Sequence, residues 1–204
     1  MTTATPGIVG VLLAAGAGTR FGSHKLMHPL ADGTPMAVAA ASALQPACDH
    51  LVAVIRPGDD DLAAILIGTG CEIVWCSEAE GGMGHSLAAG IRATASASGW
   101  IVALADMPFI THASNKLVAA NLRAGARLVA LQFQGKQGHP VGFSQAWRRQ
   151  LIVMSGDRGA KILLEKHRQH LVLCSVDDPG VVWDIDCRDD FKKHGVGGEP
   201  AHMG

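Results

Sequence analysis

The chain lacks tyrosine, and aromatic residues make up only 4% of its 204 positions. Mechanisms that need a tyrosine hydroxyl, such as that of the tyrosine-dependent short-chain dehydrogenases, are therefore excluded. There is no excess of charge of either sign, because 17 Lys and Arg stand against 18 Asp and Glu, a net charge of −1. Proteins that bind duplex DNA or an anionic membrane normally carry a basic excess. We therefore expect neither a nucleic acid nor a membrane as partner.

Long apolar runs and paired cysteines are also missing. The longest apolar run, residues 8–15, is far shorter than the roughly 20 residues that span a bilayer. The five cysteines include no Cys-x-x-Cys pair, and residues 1–6 contain no basic stretch typical of a secretory signal. A reducing, cytoplasmic location is the prediction that follows.

What the chain does have is an alternation of short apolar runs with helical patterns. Apolar runs predict strands at 8–13, 51–55, 71–75, 100–105, 128–132 and 171–176, and helices are predicted at 34–44, 59–67, 86–95, 115–122, 157–167 and 188–194. This alternation indicates a single α/β domain with a mainly parallel sheet, over residues 1–194. The glycine-rich residues 195–204 are expected to form a disordered tail. Ligands of such sheets bind beyond the carboxyl ends of the strands.

The loop after the first strand has the composition of a phosphate-binding loop. Residues 13–25 contain three glycines, the cations Arg20 and Lys25, and no acidic residue. Glycines let backbone N–H groups approach a phosphate closely, and a run of such groups forms an anion-binding nest. The spacing matches neither the P-loop nor the dinucleotide-binding fingerprint. We therefore predict a phosphate loop of a different kind.

Acidic residues follow two later segments. Asp106 comes directly after the predicted strand 100–105, at the edge where Mg²⁺ shared with substrate phosphates would need a carboxylate. Asp184 and Asp186 are two positions apart and would point the same way in an extended strand. A late acid could supply a second Mg²⁺ ligand opposite Asp106. A solvated acidic turn is the alternative that the residues leave open.

Several blocks of the sequence resemble the MobA-like NTP transferases, nucleotidyltransferases related to molybdenum cofactor biosynthesis. The blocks occur in family order between residues 8 and 191, at 13–25, 25–35, 81–90, 106–108, 138–143, 156–160 and 184–186. Blocks 81–90 and 138–143 look like the cytidylyl-transferring branch, the molybdenum cofactor cytidylyltransferases, rather than the guanylyl-transferring one. In the late block, Cys187-Arg188 replaces the family's Thr-Pro, which removes the usual helix cap and predicts a later start of the last helix.

The resemblance implies a fold, a reaction and a set of site residues. The fold is a single Rossmann-like three-layer α/β domain of the nucleotide-diphospho-sugar transferase type. The reaction is Mg²⁺-dependent transfer of CMP from CTP to the terminal phosphate of molybdopterin, with release of pyrophosphate. The implied partners are CTP, a molybdopterin-type acceptor, and a molybdenum hydroxylase or its insertion chaperone. The implied residues are Arg20, Lys25 and Asp106 for catalysis; Asp106 and Asp186 for the metal; Leu13, Ala14, Ala15, Gly16, Ala17, Gly18, Lys25, Gly82 and Ser86 for the nucleotide; and His139 and Pro140 on the acceptor side.

Other functions remain open on the sequence. A guanylyl-transferring enzyme would use the same phosphate loop. Some proteins resembling this family are oxidoreductases that use a nicotinamide cofactor on a heterocycle; Lys25 and Asp106 argue against this, since hydride transfer needs no metal ligand. A carrier that holds the cofactor without turnover and a sugar-1-phosphate nucleotidyltransferase are further alternatives.

Overall fold

A seven-stranded sheet forms the centre of the molecule. The computed structural model describes residues 7–16, 21, 24–157 and 160–194. The strands of this sheet are β1 (Ile8–Leu13), β2 (His50–Ile55), β3 (Glu72–Trp75), β4 (Gly99–Leu104), β5 (Leu128–Phe133), β6 (Lys136–Ser144) and β7 (Leu171–Ser175). Their order is β3-β2-β1-β4-β6-β5-β7. Only the two pairings made by β6 are antiparallel.

Helices cover both faces of the sheet. They are α1 (Met36–Leu44), α2 (Asp60–Gly68), α3 (Met83–Ala93), α4 (His112–Arg123), α5 (Arg148–Leu151), α6 (Lys161–Lys166) and α7 (Arg188–Lys193). One hydrophobic cluster joins α1, α2 and α4 to one face, and a second joins α3, α5 and α6 to the other. Because β1 alternates between the two clusters, every one of its residues is buried. The three-layer α/β fold with a mainly parallel sheet is therefore confirmed.

The predicted strands agree with the observed ones to within one residue at each end. β6 is a strand that the hydrophobic pattern did not predict, because Pro140 and two glycines interrupt its apolar residues. Ala130 of β5 pairs with Val141, whereas Leu131 pairs with Gly138. His139 and Pro140 therefore form a bulge, joined by a cis peptide bond, and a bulge of this kind redirects side chains.

The chain between β7 and α7 packs closely against β6. A Cβ at Gly138 would overlap the backbone carbonyl of Val181, so the chain between β7 and α7 packs directly on the β6 backbone.

Among the helices of the described ranges, none is long and apolar enough to cross a membrane.

Candidate functional site

The carboxyl ends of β1 and β4 lie side by side, with Leu13 paired to Leu104, and the predicted nucleotide residues gather there. A pocket of about 420 Å³ opens at this edge. Its lining includes Leu13, Ala14, Ala15, Gly16, Lys25, Gly82, Ser86 and Asp106. The predicted residues Ala17, Gly18 and Arg20 lie outside the described residues.

Lys25 is the centre of a charged cluster in this pocket. Its Nζ donates hydrogen bonds to Asp106 Oδ2 at 2.9 Å and to Asp186 Oδ1 at 2.8 Å. The lysine side chain is only 8% exposed. Burial by itself would lower the pKa of Lys25, but the attraction of Asp106 and the hydrogen bonds to both carboxylates outweigh it and raise the pKa. The ammonium is therefore charged at neutral pH and holds two carboxylates from distant parts of the sequence.

The end of β4 fixes Asp106. Ala105 and Met107 on either side of it are buried, and the Ala105 N–H donates to the Leu13 carbonyl at 3.0 Å. The Asp106 side chain is 29% exposed. It thus directly follows a largely buried strand near the centre of the sheet, as expected for this acid.

Asp186 reaches Lys25 from a segment without regular secondary structure. Residues 183–187 form neither helix nor strand, so the extended strand considered for Asp184 and Asp186 is wrong. Ile185 is fully buried against Phe21 and Met36, and its N–H donates to the Asp106 carbonyl at 3.0 Å. Asp184 is exposed, and Asp186 is the acid of this segment that contacts Lys25.

The last helix begins at Arg188 despite the missing Thr-Pro. The Asp190 carboxylate accepts hydrogen bonds from the N–H groups of Cys187 at 2.9 Å and Asp186 at 2.8 Å. These bonds, the one from Cys187 foremost, lower the pKa of Asp190. The expected later start of the helix is therefore wrong, because a carboxylate inside the first turn caps it. The same carboxylate also holds the backbone of Asp186.

The glycine-rich turn before α3 forms the opposite wall of the pocket. Gly82 has φ +110°, and a Cβ there would overlap the backbone of Gly156 and Asp157. The Gly84 N–H donates to the Gly156 carbonyl at 2.8 Å. Two of the sequence blocks, 81–90 and 156–160, thus pack on each other, and this contact brings Ser86, which is buried, to the pocket.

A second pocket, of about 690 Å³, adjoins the first. The two share Leu13, Met83, Leu104 and Asp157 in their linings. His139 lines the second pocket, whereas Pro140 is buried and is not part of the lining. Burial lowers the pKa of His139, and the charge of Asp106, a hydrogen bond with the Val102 backbone and the charge of Asp184 offset only part of that effect.

Several charged residues of these pockets were not predicted from the sequence, and Arg56 and Asp157 are two of them. Arg56 follows β2 at the carboxyl edge and lines the first pocket, with Asp59 at 3.2 Å from its guanidinium. Asp157 lines both pockets at their junction. Position directly after an apolar strand was the available signal for Arg56. The block 156–160 was the available signal for Asp157, but it suggested no role.

Comparison with known proteins identifies the family. The family model described as MobA-like NTP transferase domain matches residues 10–171. The chain belongs to this family. Purine catabolism protein PucB of Bacillus subtilis (strain 168) is 30% identical over 198 residues, which cover 92% of this chain and 95% of PucB. Nicotine blue oxidoreductase of Paenarthrobacter nicotinovorans is 28% identical over 90% of this chain and 94% of that protein.

A solved structure supports the same assignment. The crystal structure of Rv0371c from Mycobacterium tuberculosis H37Rv superimposes with a TM-score of 0.81 at 25% identity, covering 94% of this chain and 98% of that one. The predicted family, the fold class and the enzyme class, a nucleotidyltransferase, are thereby confirmed.

Proposed function

We propose that this MobA-like nucleotidyltransferase transfers CMP from CTP to the terminal phosphate of a molybdopterin-type acceptor and releases pyrophosphate. The observation that carries the proposal is the cluster of buried Lys25 with Asp106 and Asp186 at the first pocket, which a second pocket adjoins. One pocket is lined by the phosphate loop, as a nucleotide requires, and the other is large enough for a second substrate.

In the proposed reaction, an oxygen of the acceptor phosphate attacks the α-phosphorus of CTP. A new P–O bond forms as the bond between the α-phosphorus and its bridging oxygen breaks, and the electron pair leaves with pyrophosphate. No side chain has to remove a proton, since the attacking phosphate is already an anion. Catalysis is therefore positioning and charge stabilisation.

Two cations of the first pocket suit that task. Lys25 would stabilise the triphosphate and the departing pyrophosphate once a bound divalent cation compensates Asp106 and Asp186, the two carboxylates with which its charged ammonium pairs. Arg56 adds a further positive charge at the neighbouring strand end. Arg20, outside the described residues, is proposed to act with Lys25.

The acidic residues of the cluster fit a hard divalent cation. Both Asp106 and Asp186 approach one ammonium to within 2.9 Å, so they are close enough to share a cation. The described part of the chain contains no group of three or more His, Cys, Asp or Glu side chains suited to a metal. Mg²⁺ needs no such group, because it binds through one or two carboxylates together with waters and substrate phosphates. When bound, it would neutralise charge that develops on the triphosphate.

The finer specificity rests on the resemblance of particular blocks. Blocks 81–90 and 138–143 resemble the cytidylyl-transferring branch, which supports CTP over GTP. For the metal, one solved structure of the same fold contains a divalent cation. It is the manganese complex of Rv0371c, which has 23% identity to this chain and a TM-score of 0.75. A molybdenum hydroxylase or its insertion chaperone is proposed as recipient of the product.

A second candidate function comes from one relative. Nicotine blue oxidoreductase matches nearly the whole chain, and an enzyme of that kind would bind a nicotinamide nucleotide in the same pocket. The paired carboxylates favour transfer over this alternative, because hydride transfer makes no use of a carboxylate pair poised for a cation.

Thermal unfolding with single nucleotides separates these functions. A ligand that binds only the native state raises the melting temperature. We expect CTP with Mg²⁺ to raise it more than GTP with Mg²⁺, and NADPH to have no effect. Pyrophosphate release from CTP should require the molybdopterin acceptor. Stabilisation by NADPH but by no nucleoside triphosphate would contradict the proposal and support the oxidoreductase.

A further inference from the structure

Asp178 is a buried carboxylate that the proposed reaction does not use. It is 6% exposed. Its Oδ2 accepts hydrogen bonds from the Thr111 N–H at 2.9 Å, the Thr111 hydroxyl at 2.8 Å and the Ser114 hydroxyl. Its Oδ1 accepts from the Gly180 N–H at 3.0 Å. Burial of a carboxylate is costly, and these four hydrogen bonds offset that cost.

These partners belong to the two segments that carry the candidate metal ligands. Thr111 is the N-cap of α4 and lies five residues after Asp106. Asp178 itself precedes the 3-10 turn Pro179–Val182, from which the chain runs to Asp186. One side chain therefore joins the two segments between which Lys25 lies.

The turn beside Asp178 has little freedom to move. A Cβ at Gly180 would overlap the Phe109 carbonyl, and a Cβ at Gly138 would overlap the Val181 carbonyl. The turn is held between the segment after Asp106 on one side and β6 on the other. Within this close packing, the hydrogen bonds of Asp178 fix how the turn is seated against the segment after Asp106.

We propose that Asp178 is a positioning residue that sets the separation of the Asp106 and Asp186 carboxylates and thereby the affinity of the site for a divalent cation. The inference rests on the proposed function, since it concerns the cation that these carboxylates would hold. Asp178 lines neither of the two pockets, so it acts through the backbone and not by contact with substrate.

The test measures Mn²⁺ binding to the full chain by electron paramagnetic resonance of free Mn²⁺, in the presence of CTP. Residues that orient metal ligands typically change metal affinity by about 10–100-fold. We expect Asp178→Asn to bind Mn²⁺ about tenfold more weakly than the wild type, because both carboxylate oxygens accept hydrogen bonds and an amide nitrogen in place of either one cannot. Thr111→Val should weaken Mn²⁺ binding less than Asp178→Asn does. Thr111→Ser should bind Mn²⁺ as the wild type does, because it keeps the hydroxyl.

Thr94→Val is the matched control for a loss of stability alone. The Thr94 hydroxyl accepts from Trp100 Nε1 at 2.9 Å and donates to the Gly90 carbonyl at 2.8 Å. These are partly buried hydrogen bonds away from both carboxylate segments. This variant should unfold at lower denaturant concentration and yet keep the wild-type Mn²⁺ affinity.

The outcomes separate a failure of the positioning role of Asp178 from a failure of the proposed metal site. If the wild type binds Mn²⁺ and both Asp178→Asn and Thr111→Val bind it equally well, Asp178 is structural only and the positioning role is overturned. If Asp178→Asn does not fold, the Mn²⁺ affinities of Thr111→Val and Thr111→Ser are compared instead. Equal affinities would overturn the positioning role of Asp178. If the wild type with CTP binds no Mn²⁺, the metal part of the proposed function fails, and the positioning role fails with it.

Discussion

Asp106 and Asp186 bring the same chemical group to the same ammonium by different routes. Asp106 stands at the end of a central strand, between buried neighbours. Asp186 lies on irregular chain held by the Ile185 side chain, by Asp190 and by a hydrogen bond to the Asp106 carbonyl. The first carboxylate is placed by the strand that it follows, and the second by a local cap together with contacts between residues far apart in sequence. The second should therefore be easier to displace.

The largest effect should come from Asp106→Asn. Loss of this charge removes the better fixed of the two carboxylates from the site where phosphate charge develops. Loss of one preorganised electrostatic group costs about 10²–10³-fold in kcat, and we expect at least that fall in pyrophosphate release from CTP. Circular dichroism should show an unchanged fold.

Glu72→Gln serves as the control for this variant. Glu72 pairs with His50 at 2.9 Å, but both side chains are largely exposed at the amino edge of the sheet, and exposed pairs contribute little. Its activity should equal that of the wild type. Full activity of Asp106→Asn would remove Asp106 from the mechanism.

Asp186→Asn should have a smaller effect. The Asp186 side chain is 49% exposed. Its loss weakens the hydrogen bond from Lys25, and a hydrogen bond to a charged group is worth about 1.5–3 kcal/mol. That energy corresponds to roughly a tenfold to hundredfold fall in kcat/KM. The fall should be partly recovered at high Mg²⁺ concentration. Asp184→Asn, two positions away on the same segment, should leave the rate unchanged. An equal fall in kcat/KM in both variants would mean that Asp184 contributes to the site as much as Asp186 does.

The same contrast explains which parts of the site could be predicted from the sequence. Asp106 and the loop after β1 follow continuous apolar runs, and the end of such a run marks the carboxyl edge of the sheet. Asp186 has no such signal, because the packing of Ile185 on Phe21 and Met36 holds it through tertiary contacts. Its pairing with Lys25 joins positions 161 apart in sequence, which no local pattern encodes.

The fold was similarly predictable except where local and tertiary preferences disagree. β6 contains a proline and two glycines, so its pattern does not predict a strand. Burial between β4 and β5 stabilises it nevertheless. Asp157 was missed for a related reason, since it becomes a pocket residue only when separate strands and turns meet, whereas Arg56 directly after β2 carried the same signal as Asp106.

Ile185→Ala tests the anchoring of the less rigid segment. Ile185 is fully buried, and truncation of such a side chain costs about 2–5 kcal/mol in the free energy of unfolding. Urea denaturation should show this loss, and the Mg²⁺ concentration for half-maximal activity should rise as well. Ile91→Ala, at an equally buried position of α3, should lose similar stability with no change in the Mg²⁺ requirement. A parallel change in both variants would contradict a specific role in holding Asp186.

The smallest effect concerns His139, which responds to both acidic segments. Burial lowers its pKa below 6.5, so the folded protein favours the neutral ring. Between the folded pKa and 6.5 the unfolded chain binds more protons, and the free energy of unfolding falls as the pH falls through this window. His139→Gln removes that dependence, whereas His170→Gln, at an exposed position, should keep it. Urea denaturation at pH 5 and pH 7 measures the difference.

The pKa of His139 also allows the two acidic segments to be compared directly. Both Asp106 and Asp184 raise this pKa against the effect of burial, and Asp106 does so more strongly. Asp106→Asn should therefore lower the pKa of His139 further, and Asp184→Asn should lower it less, as followed by NMR titration of the ring. A larger shift in Asp184→Asn would mean that the irregular segment lies closer to the second pocket than the end of β4 does. The contrast in rigidity between the two carboxylates would then have to be reconsidered.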